Sequence, residues 1–102
     1  MKLIEAVINK LKLQDVRSAL DELGVVDFME SPVTCNADRG PVMVFRGARF
    51  VARVAGKVKL EIVSADESVE RIIDVIGSLA RTDRPGDCRI AIRPYLEVTS
   101  PS

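Results

Sequence analysis

The chain contains no histidine and no tryptophan. The first absence excludes much chemistry. A Ser–His–Asp or Cys–His catalytic group, a His-ligated zinc or haem, and an imidazole pH switch all need a residue that is not there. Cysteine is scarce, at two of 102 residues, Cys35 and Cys88. A four-thiolate or Cys/His zinc site needs more ligands than that. In a reducing compartment they read as two free thiols, and a redox pair arises only if the fold brings them together. No apolar run is long enough to span a bilayer. The opening Met1-Lys2-Leu3-Ile4-Glu5 has no signal-peptide core, so a cytoplasmic protein is expected. Net charge is also lacking, with 15 basic and 15 acidic side chains. What remains, 47% hydrophobic and 29% charged, is an ordinary globular mixture rather than a disordered one. The length suits one domain.

Branched apolar residues over Lys2–Asn9 predict a strand. Leu13, Val16, Ala19, Leu20 and Leu23 then fall on one helical face, with Arg17 and Asp21 one turn apart opposite, and Gly24 is a ready helix stop. Val25 to Val33 reads as a second strand closed by Pro32. Thr34 to Pro41 is a loop by composition. Val42 to Val54 alternates only weakly and carries Gly47, so it reads as a long excursion. Lys57 to Val63 is the cleanest strand, with Val58, Leu60 and Ile62 on one face and Lys57, Lys59 and Glu61 on the other. Ser64 and Glu67 have capping-box spacing, with Asp66 as the other possible cap. Val69, Ile72, Ile73, Ile76 and Leu79 mark the buried stripe of a second helix. A turn at Asp83 to Asp87 leads to a last strand with Ile90 and Ile92 facing in. A loose tail from Thr99 closes the chain. The order is β-α-β-β-α-β, an α+β ferredoxin-like arrangement with two helices on one face of an antiparallel sheet. That fold hosts many functions and decides none.

The zero net charge hides an uneven distribution. Arg39, Arg46, Arg49, Arg53, Lys57 and Lys59 follow one another with no Asp or Glu between Asp38 and Glu61. Such a stretch is either a solvated loop balancing acidic helices or a site for a phosphate, carboxylate or carbonate. A second basic turn, Arg81 to Arg89, holds Gly86 and can wrap backbone N–H groups around phosphate, although it is no Walker motif.

Four blocks carry a family resemblance. The opening Met1-Lys2-x-Ile4-Glu5-Ala6-Val7-Ile8 with Lys12-Leu13-x-x-Val16-Arg17-x-Ala19-Leu20-x-x-Leu23-Gly24-Val25, then Arg46-Gly47-Ala48-Arg49-Phe50, then Lys57 to Val63, and finally Arg81-Thr82-x-x-x-Gly86-Asp87-x-Arg89-Ile90 resemble the PII signal-transduction (nitrogen-regulatory) family in order and near-family spacing. The resemblance implies a single PII-like domain over 1–102, with a T-loop over about 35–54, a B-loop over about 81–89 and a short tail over 95–102. It implies a homotrimer with adenine nucleotides (ATP, ADP or AMP) in the clefts between subunits. Gly86, Asp87, Cys88 and Arg89 match the phosphate-holding B-loop; Glu61, Ile62 and Val63 match the base and ribose support; Phe28 and Met29 match the end of the second strand. Lys57 matches the lysine that meets a small anionic effector. With the charge pattern it places that effector among Lys57, Arg46, Gly40 and Arg39.

The departures point to the PII-like branch, some of whose members are associated with carboxysomes or bicarbonate. Phe50 stands where the family has its modified tyrosine, and without a hydroxyl it cannot be uridylylated. Asp38 stands near the family's oxoglutarate-holding glutamine, and its charge repels a dicarboxylate. The B-loop reads Asp83-Arg84-Pro85-Gly86-Asp87-Cys88, and the family's arginine-bearing C-terminal loop has no counterpart, so ADP or AMP suits the site better than ATP. The reading is therefore a non-enzymatic adenylate sensor with a small anion, bicarbonate being the candidate, and no metal or covalent cofactor. Through the T-loop it would control a membrane transporter or a cytoplasmic enzyme. A nitrogen-regulatory protein sensing ATP, ADP and 2-oxoglutarate is the alternative. An RNA-binding module shares the element order, but the third strand lacks the aromatics that stack bases, so no nucleic acid is expected. A small enzyme finds no nucleophile–base pair, because Asp66, Glu67, Glu70 and Asp74 read as a solvated helix face.

Overall fold

The computed structural model of the chain describes residues 1–35, 39–53, 56–83 and 86–98. Its elements are β1 (Lys2–Asn9), α1 (Leu13–Glu22), β2 (Met29–Val33), β3 (Arg39–Phe45), β4 (Ala48–Arg53), β5 (Lys57–Ser64), α2 (Val69–Ala80) and β6 (Cys88–Pro94), with short 3-10 turns leading into both helices. Four strands form one sheet in the order β2-β5-β1-β6, and β3 pairs with β4 in a two-stranded ribbon of its own. Every pairing in the large sheet is antiparallel. This is the expected ferredoxin-like α+β arrangement. No helix among the described residues is long and apolar enough to cross a membrane.

The core follows from period-two alternation. Ile4, Ala6 and Ile8 of β1 and Leu60 and Ile62 of β5 are fully buried, and Val58 nearly so. The helices cover that face with Leu13, Val16 and Leu20 from α1 and Ile72, Ile76 and Ala80 from α2. The end of α1 is fixed by the backbone. Gly24 takes φ +80°, its N–H donates to the Asp21 carbonyl and the Val25 N–H to the Leu20 carbonyl, both at 2.9 Å. That paired pattern is a Schellman motif, and it needs the left-handed residue that glycine supplies.

Several expectations are corrected. The second strand starts at Met29, not Val25, because Val25 closes the helix cap and packs on the core. Pro32 lies inside β2 rather than ending it, which an edge strand permits. The excursion after Pro41 is the β3–β4 hairpin, and strand structure begins as early as Arg39. Arg46 and Gly47 turn it with φ +52° and +81°, the two positive values of a type I′ turn. The Ser64 hydroxyl donates to the Ala65 carbonyl instead of capping a helix, and neither Ala65 nor Ser68 makes a side-chain cap. Asp66 instead meets the Met1 ammonium at 3.1 Å, which holds its carboxyl below the usual range. Arg17 reaches past Asp21 to Glu30 of β2, donating twice at 2.5 and 2.6 Å. Ile92 shares the face of Ile4, yet is 46% exposed, because β6 is an edge strand. Thr99 to Ser102 lie outside the described residues.

Candidate functional site

The ribbon returns to the sheet at Lys57, the first residue of β5. Alternation puts this side chain on the face away from the helices, yet only 4% of it is exposed. Its Nζ lies 3.1 Å from Oδ1 of Asp87, which is buried in the loop joining α2 to β6. The other Asp87 oxygen accepts a hydrogen bond from the Thr82 hydroxyl at the start of the same loop. A buried ammonium is tolerated only with such compensation. The network therefore ties the first residue of β5 to the loop over 81–89 across the end of β1.

In that loop Gly86 has φ +86°, the left-handed conformation that glycine favours. The Arg89 guanidinium lies over it, 3.5 Å from the point where any Cβ would sit. Cys88 follows. Burial pushes its thiol above the usual cysteine range, while Arg81 and Lys57 pull it partly back. It is thus a neutral thiol rather than a nucleophile. Cys35 and Cys88 are both half-buried and both free.

The remaining sequence-derived residues separate into groups. Glu61 and Val63 sit on the open face of β5, and Met29, 65% exposed, stands directly opposite Glu61 on β2. Ile62 is fully buried toward the helices, so only its backbone is available to a ligand. Phe28 packs partly buried against the core. Arg46 is exposed at the ribbon turn. Arg39 and Gly40 begin β3. Asp38, Arg84 and Pro85 lie outside the described residues. A cavity of about 470 Å³ opens between the start of α1, β2 and the start of β5, with Lys10, Glu30, Thr34 and Lys57 among its lining residues. Arg17 holds the Glu30 carboxyl there well below the usual range, chiefly through its hydrogen bonds. Thr82 stands in the Arg81-Thr82-x-x-x-Gly86-Asp87 block but was given no role by sequence; its hydrogen bond to Asp87, five residues on, is what the fold adds.

Fold and site together define a ferredoxin-like α+β protein with a separate two-stranded ribbon, in which the first residue of β5 is tied to the loop before β6. The comparisons agree with that class. The family model described as Nitrogen regulatory protein P-II matches residues 1–95. The chain is 40% identical over 95 residues to a nitrogen regulatory protein P-II of Cereibacter sphaeroides, covering 92% of this chain and 85% of the relative. It is 38% identical over 99 residues to one of Azospirillum brasilense, covering 96% and 88%. A third, of Rhizobium meliloti, is 37% identical over 99 residues, covering 96% and 88%. The chain belongs to the nitrogen regulatory protein P-II family, a family of signalling proteins rather than enzymes.

Proposed function

We propose that the chain is a nitrogen-regulatory signalling protein that binds an adenine nucleotide between copies of itself in a homotrimer. The β3–β4 ribbon passes the occupancy of that site to a partner protein, a transporter or an enzyme. One observation supports this reading: Lys57, Asp87 and Thr82 link the loop around Gly86 to the first residue of β5, the strand that follows the ribbon. A phosphate settling on the N–H groups near Gly86 and on Arg89 shifts the loop, and Asp87 transmits that shift to β5. Met29, Glu61 and Val63 on the open sheet face, with the Ile62 backbone, support the base and ribose.

The names of the relatives favour this nitrogen-regulatory reading over the bicarbonate-responsive one expected from the departures. Calorimetric titration with ATP, ADP and AMP, each alone and with 2-oxoglutarate or bicarbonate, separates the two. The nitrogen-regulatory reading expects nucleotide binding that 2-oxoglutarate strengthens and bicarbonate leaves alone. Arg89→Ala should lose about tenfold in nucleotide affinity, the size of one charge-assisted hydrogen bond. Absence of any nucleotide binding at millimolar concentration, or a monomer by light scattering, overturns the proposal.

A further inference from the structure

The cavity between α1, β2 and β5 has walls that the fold holds in place. The Lys10 N–H donates to the Gly56 carbonyl and the Leu11 N–H to Oδ1 of Asn9, both at 2.9 Å, so the turn between β1 and α1 is pinned beside the start of β5. On the other wall Arg17 of α1 donates twice to Glu30 of β2. Between these ties the lining is apolar, with Leu13, Pro32 and Val58. Pro32 stands opposite Val58, and Leu13 and Val58 belong to the core under the helices. A volume of about 470 Å³ with an apolar floor and a few charged groups is that of a small-molecule site.

The charges are spread along its length. Glu30 and Thr34 both line it, four residues apart along the β2 segment, a separation of about 13 Å at the rise of a strand. Lys10 shares the Thr34 end, because Gly56, which accepts its N–H, directly precedes Lys57, the partner of Val33. Lys57 is already met by Asp87, whereas Lys10 forms no ion pair among the described residues. At the other end Arg17 keeps Glu30 ionised, and each of its oxygens takes one N–H with room to accept another. We infer that this cavity binds an elongated zwitterion, an ω-amino carboxylate whose ammonium meets Glu30 and whose carboxylate meets Lys10 and the Thr34 hydroxyl. Its methylene chain lies on Leu13, Pro32 and Val58, where burial favours it. Both head groups gain charge-assisted contacts. An α-amino acid carries its two charges too close together to reach both ends. A plain carboxylate leaves Glu30 unmet, and a plain amine leaves Lys10 unmet. The cavity floor is the helix side of the sheet, opposite to Glu61 and Val63, so the inference does not rest on nucleotide binding by the loop around Gly86.

The test is calorimetric titration of the full chain with 6-aminohexanoate, and with glycine, hexanoate and pentylamine as single-feature controls, at matched ionic strength. Only 6-aminohexanoate should bind well, and thermal unfolding should show it raising the melting temperature. Lys10→Gln and Glu30→Gln should each lose about tenfold in affinity, the size of one charge-assisted hydrogen bond. Lys10→Gln should melt as the wild type does, since it breaks no ion pair, and this separates lost binding from lost folding. No binding of 6-aminohexanoate at millimolar concentration overturns the inference. So does hexanoate or pentylamine binding as tightly, or unchanged affinity in Lys10→Gln. Repeating the titration with ATP present separates this site from the nucleotide one. Unchanged affinity supports a second site, and competition by ATP refutes it. If ATP fails to bind while 6-aminohexanoate binds as described, the nucleotide reading falls and this one stands.

Discussion

Replacing Asp87 with asparagine keeps the shape of the side chain and removes its charge. The amide oxygen still accepts from Thr82, but the buried Lys57 ammonium, 4% exposed, loses the Asp87 charge. Removing one partner of a buried ion pair costs about 3–5 kcal/mol, so Asp87→Asn should lose about that much at pH 7. In a chain of this length each kcal/mol moves Tm by about 4–8 °C, so the melting temperature should fall by about 12 °C or more at pH 7. Thermal unfolding followed by circular dichroism at pH 7, at matched ionic strength, reads the difference from wild type. Adding Lys57→Met to Asp87→Asn should recover much of the loss, since no charge is then stranded. A loss under about 1 kcal/mol at pH 7, the size of an exposed pair, refutes the assignment of Lys57–Asp87 as a buried pair.

Two further perturbations test other parts of the frame. The Glu30 carboxyl is held below its ordinary range by Arg17, so its contribution is fully present above the unfolded carboxylate pKa of about 4.3 and is lost as pH falls through the lower folded value. Glu30→Gln should cost no more than about 1 kcal/mol near pH 7, because the pair is partly exposed, and the cost should vanish in acid; a urea titration series from pH 7 to 3 measures it. Gly86→Ala should cost about 1–2 kcal/mol through its positive φ, while Gly56→Ala, with open space around it, should be close to neutral; denaturant midpoints compare them.

The elements that alternate or cycle cleanly were legible in the residues. Ile4, Ala6 and Ile8, and Val58, Leu60 and Ile62, announce β1 and β5 because each strand buries one whole face. Gly24 announces the end of α1 because the Schellman motif needs it. The ribbon was not legible. Its alternation is broken by the register shift after Arg39 and by arginines at 46, 49 and 53, and it packs chiefly on itself, so no core face stamps a pattern on it. The ion pairs were missed for a different reason. Arg17 has Asp21 one helical turn away, yet binds Glu30, and Lys57 meets Asp87 across thirty residues. Local spacing carries no trace of partners that only the tertiary fold assembles. The positions of both loops came from family motifs, and the conformation of neither could be read from them.

The ribbon also gives a molecule of zero net charge a strong electric dipole. Residues 39 to 53 hold four positive side chains and no negative one, so the rest of the chain holds eleven positive and fifteen negative. A neutral body of this kind feels little net pull from a distant charged surface, but it does feel a torque. Approaching an acidic partner, it rotates before it touches, and it arrives with the hairpin leading. Orientation is thereby settled during diffusion rather than by trial collisions. The advantage is confined to separations of about one Debye length, roughly 8 Å in physiological salt.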